Sequence, residues 1–460
     1  MKRVELKELT ENRQSYEGKT VTVCGWVRTS RDSKNVAFAE LNDGTALKHT
    51  QIVFDKTKFS DGELSALLVL GAALKVTGTA VKGMKNEAVE ILAERAELLG
   101  ACDGSYPLQK KRHTMEYLRT IPHLRVRTNT FNAMFRVRSE LSYAIHEFFH
   151  KRGFYYVHTP IITGSDCEGA GEIFKVTTVG YAPAIRSEEE YYAADFFGRA
   201  AGLTVSGQLE GEVMATAMGK IYTFGPTFRA ENSNTTRHAA EFWQIEPEVA
   251  FAELDDIIGI ATDMIQSITQ HLLDHCAEEL KFFEERFEAG LIAKLENVAH
   301  SEFARVDYTE AVEILRKSGK QFAYPVSWGC DLQTEHERYL TDEVYKKPVF
   351  VVNYPKDIKS FYMKLNPDGK TVAATDLLVP GVGEIIGCSE RENDYEKLKK
   401  AIEDRGMKMS DYENYLDLRR YGSVPHSGFG LGLERMLLYV TGIGNIRDTQ
   451  IFARNKNNLA

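Results

Sequence analysis

The sequence predicts an α+β protein: a small five-stranded β-barrel first, then an antiparallel sheet flanked by helices. Three observations carry this. Residues 1 to about 104 run as short alternating segments (TVTVCGWVRTSR, VAFAELNDG, TQIVFD, ALKVTGTAV, EAVEILAERAELLG), with a turn signal at Asn42-Asp43-Gly44 and one helical piece, Asp61 to Leu70. That is the pattern of a closed barrel of the OB type. Ile221 to Glu248 reads as two strands joined by a long polar loop. Between and after them lie amphipathic helices, among them Phe131 to about His150, whose Phe135, Leu141, Ile145, Phe148 and Phe149 make an apolar face too wide for a free surface helix.

The 460 residues suffice for two or three domains. We divide them as a barrel at 1–104, a hinge at 105–130 opened by Gly104 and punctuated by Pro107 and Pro122, and a larger domain at 131–460. Residues 251 to about 320 read as a charged, solvated helical insertion. With 43% hydrophobic and 27% charged residues, the chain can bury a full core and is neither disordered nor fibrous. No apolar run approaches the roughly 18 residues that span a bilayer, and MKRVELKELTENRQ lacks the apolar centre of a signal peptide. Six scattered cysteines without a C-x-x-C pair point to free thiols in a reducing cytosol, hence a cytoplasmic protein, and argue against a zinc site. The net charge of -9 disfavours nucleic acid as a partner overall, yet Gln109 to Arg127 (QKKRHTMEYLRTIPHLRVR) is strongly basic. That run is either an RNA backbone contact or a solvated linker.

Alternation along the 221–248 hairpin sends Arg229 and Glu231 to one side of the first strand, and Phe242, Gln244 and Glu246 to one side of the second. A guanidinium fork suits a phosphate, a ring can stack on a base, and a carboxylate can accept from an exocyclic amine. A plain salt-bridged hairpin with a solvated loop, Asn232 to Glu241, is the simpler alternative. Far downstream, SGFGLGLERMLLYVTG alternates Gly428, Gly430 and Gly432 ahead of Arg435. Leu433, Met436, Leu437 and Val440 then follow the i, i+3, i+4, i+7 stripe of a buried helix. Glycines let a ring or backbone approach, and Arg435 in the first turn can reach a phosphate held by backbone donors. A dinucleotide-binding fingerprint would need a third glycine where Leu433 stands, so it is excluded.

Together these stretches resemble motifs two and three of the class II aminoacyl-tRNA synthetases. Phe228-Arg229-x-Glu231 followed by His238-x-x-x-Phe242-x-x-x-Glu246 is similar to motif two, and Gly-x-Gly-x-Gly-x-x-Arg ending at Arg435 to motif three. Within the aspartyl/asparaginyl/lysyl subgroup, the wording of FRAENSNTTRHAAEFWQIEPE, GVGEIIGCSERE and VPHSGFGLGLER most resembles the asparaginyl-tRNA synthetases. The resemblance spans nearly the whole chain and implies a class II catalytic domain behind an anticodon-binding barrel. It implies activation of L-asparagine by ATP to asparaginyl-adenylate, then transfer to the 3′ end of tRNA(Asn). Nothing in the sequence demands a nucleophilic side chain for this.

The residue roles follow from the resemblance. Arg229 would hold the α-phosphate and the asparagine carboxylate, and Phe242 would stack on adenine with Glu231 near its amino group. Arg435 and His238 would hold the γ-phosphate, with Gly432 giving backbone access. Asp376 and Glu384 would carry Mg²⁺, which favours carboxylate and phosphate oxygens. Glu168, Ser206, Gln208 and Glu246 would surround the ammonium group. Arg391 would donate to the side-chain amide oxygen and Glu212 accept from its nitrogen. Glu384 and Arg391 share a face only if a bulge intervenes, expected at Gly387. In the barrel, Phe38 would stack on the central anticodon uridine and Gln51 read its edge, with Glu90 and Arg28 on the same loop; for Phe38 an ordinary core aromatic is the alternative. The helix-plus-strand segment at about 131–162, with Pro160 in the place of the motif's terminal proline, is similar to motif one and implies a homodimer.

The sequence departs from the pattern at three places. Gly211 stands where aspartyl enzymes carry a lysine, so the positive charge favouring aspartate is missing. Cys388 replaces the more usual glycine and is expected to narrow the amino-acid pocket. The ending QIFARNKNNLA keeps Arg454 but lacks the family's flanking prolines. The alternatives are an aspartyl-tRNA synthetase, charging one or both tRNAs, and an asparagine synthetase relative without the barrel.

Overall fold

The computed structural model describes residues 2–83, 89–165, 167, 173–180, 187–232 and 235–459. The chain divides into two compact units, Met1–Ala133 and Met134–Ala460.

In the first unit five strands, β1 (Thr20–Asp32), β2 (Val36–Asn42), β3 (Thr50–Asp55), β4 (Ala73–Lys82) and β5 (Val89–Gly100), close in the order β1-β2-β3-β5-β4. The β3–β5 pair is parallel and closes the ring. Period-two alternation sends Val21, Val23, Ala37, Ala39, Ile52, Phe54, Leu74, Val76 and Ile91 inward, where each is nearly or fully buried. Gly78 sits where the β4–β5 register shifts, and a Cβ there would meet the Leu92 carbonyl oxygen at 2.1 Å, so only glycine permits the approach. The helix Asp61–Leu67 starts on a reciprocal cap between Ser60 and Glu63.

The second unit is built on an eight-stranded sheet. Its strands are β6 (Tyr155–Tyr156), β9 (Lys220–Phe228), β10 (Glu241–Ala250), β11 (Ala304–Asp307), β12 (Val349–Val352), β13 (Ala374–Val379), β14 (Gly383–Glu390) and β15 (His426–Gly432); β7 (Ile162–Thr163) and β8 (Gly202–Leu203) form a separate pair. The order is β11-β12-β13-β14-β15-β10-β9-β6. The body is antiparallel, as expected, but the two edge pairs, β11–β12 and β6–β9, are parallel.

One expectation fails here. Residues 251–320 are not a solvated helical insertion. Helix Leu254–His275 buries Leu254, Ile257, Ala261, Met264, Ile265, Ile268 and Leu272, a helical stripe, and lies against β14 and β15. β11 joins the sheet itself. The charges that suggested a solvated segment occupy the outer faces, and the apolar spacing between them decides the packing. Among the described residues no helix is long and apolar enough to cross a membrane, and all six cysteines are free.

Candidate active site

The face of β9, β10, β15, β14 and β13 opposite helix Leu254–His275 carries the polar side chains. β9 ends at Phe228, so Arg229 and Glu231 stand just beyond the strand rather than on it. The ladder nevertheless runs one step further, because the Arg229 amide donates to the Ala240 carbonyl at 2.9 Å. On β10, Phe242, Gln244, Glu246 and Glu248 alternate onto the polar face, while Ile245 on the other face is fully buried.

Arg229, Glu231, His238, Phe242, Glu384, Gly432 and Arg435 all line a single open cleft. The Arg229 guanidinium lies 5.3 Å from the centre of the Phe242 ring, and Arg435 pairs with Glu384 at 3.2 Å. His238 bonds Thr235 at 2.5 Å and faces Glu231 at 4.0 Å. Partial burial, together with the positive Arg435, Arg229 and Arg237 nearby, pushes the His238 ring below its usual pKa. Arg237, unforeseen from the sequence, also lines the cleft; it donates to Thr334 and to the Gly381 carbonyl, each at 3.3 Å, tying the hairpin loop to the β13–β14 turn.

The glycines of β15 serve a purpose other than ring access alone. A Cβ at Gly428 would strike the Glu248 carboxylate at 2.1 Å, and one at Gly430 would strike the Gln244 amide at 2.5 Å. They make room for long polar side chains crossing from the neighbouring strand.

The bulge that brings Glu384 and Arg391 to one face is at Ile385, not Gly387. Leu377 pairs with Ile386 and Leu378 with Glu384, leaving Ile385 as the extra residue. Asp376 and Glu384 therefore stand together: a Cβ on Gly387 would lie 3.5 Å from a Glu384 oxygen and 3.6 Å from an Asp376 oxygen. Lys359 neutralises Asp376 at 2.6 Å. Among the described residues no group of three or more His, Cys, Asp or Glu side chains is placed to hold a metal. Two carboxylates fit Mg²⁺, which keeps water and phosphate in its other positions. Cys388 is buried and pairs with Thr375 and Phe429, which puts it on the sheet face opposite Gly387 and Ser389. It does not narrow the amino-acid side.

Deeper along the same face, Glu246 accepts from Ser206 Oγ, from the Gly207 amide at 2.9 Å and from Thr223 at 3.0 Å. Gln208 is buried and donates to Glu212 at 3.0 Å. Glu212 is fully buried and also accepts from Tyr415, Arg419 and His426, each at 2.8 Å. Burial alone would raise its carboxyl, but Arg419, His426 and Arg391 outweigh that and hold it far below the usual range. Arg391 donates to Ser389 at 2.5 Å and forks onto both oxygens of Glu248, a residue the sequence reading passed over. Glu168 lies outside the described residues.

In the barrel, the core alternates with an outer row. Phe38 and Gln51 belong to the outer row; Ala37, Ala39 and Ile52 are the core. Phe38 is thus no core aromatic: Arg31 stacks over it at 5.2 Å. Gln51 pairs directly with Glu90 across the β3–β5 ladder. Arg28 is the extra residue of a bulge in β1 between Val27 and Thr29. Its burial, with Arg127 nearby, lowers its pKa against the pull of Tyr106.

A closed OB barrel joined to an open, mainly antiparallel sheet with three arginines lining one cleft defines a class II synthetase with a nucleic-acid-binding module. Sequence profiles agree: residues 114–456 match "tRNA synthetases class II (D, K and N)" and residues 21–99 match "OB-fold nucleic acid binding domain". The chain belongs to the class II tRNA synthetases of this D, K and N type. It is 56% identical over 458 residues to the asparagine–tRNA ligase of Acetivibrio thermocellus, covering 99% of this chain and 98% of that one. It is 54% identical to the asparagine–tRNA ligase of Clostridium novyi, with 99% and 98% covered. In structure it resembles asparaginyl-tRNA synthetase from Pyrococcus horikoshii complexed with asparaginyl-adenylate, at a TM-score of 0.88 and 34% identity, with 100% of this chain and 99% of that one covered.

Proposed function

We propose that this protein is an asparagine–tRNA ligase: it activates L-asparagine with ATP and passes the asparaginyl group to the 3′ end of tRNA(Asn). The observation that carries the reading is that Arg229 and Arg435, more than 200 positions apart in the chain, face one cleft with Phe242 between strand and loop. Attack of the asparagine carboxylate on the α-phosphorus needs alignment and charge neutralisation more than proton transfer. Arg229 would clamp the α-phosphate and the incoming carboxylate, and Phe242 would stack on adenine with Glu231 at its amine. Arg435, His238 and Arg237 would hold the folded-back outer phosphates. Asp376 and Glu384 would hold a Mg²⁺ that, when bound, offsets phosphate charge.

The ammonium group would meet Glu246, whose position Ser206, Gly207 and Thr223 fix, with Gln208 and Glu168 beside it. For the amide end, Glu212 has no acceptor capacity left, because four protein donors fill two oxygens. The Arg391–Glu248 pair is better suited: the guanidinium keeps two N–H groups and the carboxylate keeps lone pairs. An aspartate carboxylate would face Glu248 unfavourably. A Cβ on Gly211 would approach Glu248 Cγ at 3.6 Å, so a cation there would offset that repulsion, and none is present.

The half-buried outer row of the barrel, Phe38, Gln51 and Glu90, with Arg28 at its bulge, would take the anticodon loop, since stacking on an aromatic suits unpaired bases. Residues 1–104 would then be the anticodon domain and 105–130 the hinge to the catalytic domain. Edge strand β6 exposes Tyr155 and Tyr156, at 55% and 43%, a surface a second copy would cover through the 131–162 segment. Free thiols fit a cytoplasmic setting.

The test is ATP–pyrophosphate exchange with asparagine and aspartate side by side. Asparagine should support exchange and aspartate should not. Arg229→Ala should cut the rate by about 10²-fold or more while leaving circular dichroism unchanged; near-normal exchange in that variant would overturn the assignment.

A further inference from the structure

β10 carries Phe242 at its start, where the sheet is incomplete. The β10–β15 ladder ends at the Gln244–Gly432 pair, so the Trp243 amide, one residue earlier, has no strand partner on that side. The Glu434 carboxylate replaces it, accepting from the Trp243 amide at 3.0 Å. The same carboxylate pairs with Arg138 at 2.8 Å and accepts from the Gln450 side chain at 3.2 Å. Gln450 in turn donates to the Glu241 carbonyl at 2.8 Å. The two peptides flanking Phe242 are thus both clamped: one through the Glu241 carbonyl, the other through the Trp243 N–H. Glu434 is 1% exposed and lines the cleft beside Arg435, and Arg138 also donates to the Thr449 carbonyl at 3.1 Å, steadying the segment that carries Gln450.

We propose that Arg138 and Glu434 are positioning residues for ATP: their ion pair replaces the missing ladder at the start of β10 and so fixes the angle of the Phe242 ring. This rests on the reading that Phe242 stacks on adenine. Arg138 belongs to the helix Asn129–Lys151, far from Phe242 in sequence, and it acts through Glu434 rather than touching nucleotide. A buried carboxylate stripped of its cation must re-solvate or move. Moving Glu434 releases the Trp243 amide and lets the ring drift from the cleft wall.

The experiment compares full-length wild type, Arg138→Gln, Arg138→Lys, Glu434→Gln, Arg138→Gln/Glu434→Gln and Phe242→Ala. KM values for ATP and asparagine come from pyrophosphate exchange, and ATP affinity from calorimetry. Arg138→Gln should raise the KM for ATP about tenfold and leave that for asparagine within about twofold. Arg138→Lys should recover most of the loss, and the double variant should be no worse than the poorer single one. A defect confined to folding would lower the active fraction and move neither KM selectively. Equal change in both KM values, no change in ATP affinity, or strictly additive singles would overturn the proposal. Should Phe242→Ala leave ATP affinity intact, the reading of the cleft fails and the proposal with it; should Phe242→Ala weaken ATP while Arg138→Gln does not, only the positioning role fails.

Discussion

Glu212 gathers Gln208, Tyr415, Arg419 and His426 on two oxygens by direct hydrogen bonds. Converting it to glutamine leaves Arg419, also buried, without its counter-charge. Loss of one partner of a buried pair costs about 3–5 kcal/mol. Glu212→Gln should therefore lower the melting temperature by roughly 5 °C or more, measured by calorimetry. A change in amino-acid preference without a loss of stability would contradict this structural role. Arg229 and Phe242 were legible as neighbours because alternation puts them on one face of the hairpin, and Arg435 joined them through the resemblance to motifs two and three. Glu248 was passed over, although two steps beyond Glu246 lies the same face; only the Arg391 fork, 143 positions away, shows its use. Burial and the crossing over Gly428 are facts of three dimensions that no local pattern carries.

The same limit operates on whole elements. A bulge was needed to reconcile Glu384 with Arg391, and the glycine at 387 was the natural place to expect it. The structure uses Ile385, because Gly387 pairs in register with Asp376 and leaves the space into which both carboxylates lean. One residue decides which way the strand's side chains point. Inserting one alanine between Ile386 and Gly387 should change the strand's parity there and turn Glu384 to the helix-covered face. Exchange activity should fall by about 10²-fold or more, with near-UV dichroism showing a packed fold. Helix Leu254–His275 teaches the converse. Its acidic residues drew attention, yet its stripe at helical spacing was present in the sequence and determines that it covers the sheet.

At the scale of the molecule, each unit has its own hydrophobic interior, and the barrel's is continuous from Leu6 to Ala93. A unit with a complete core folds alone. Residues 1–133 expressed separately should melt cooperatively and bind an anticodon stem-loop of tRNA(Asn), with Phe38→Ala weakening binding by about 1–3 kcal/mol in titration calorimetry. The barrel was readable from strand lengths and turns, which are local. The antiparallel sheet was expected too, but its strand order was not readable, since its central neighbours, β10 and β15, are separated by some 180 residues of other elements.

The end of the chain closes back on the hairpin that holds the cleft. The Arg454 carbonyl accepts from the Ala240 amide at 2.7 Å, Lys456 reaches Asn232, and Ile446 donates to the Thr236 carbonyl at 2.8 Å. Each tie joins the 446–456 stretch to a loop more than 200 positions earlier, so the wall of the cleft sets only once both stretches are in place.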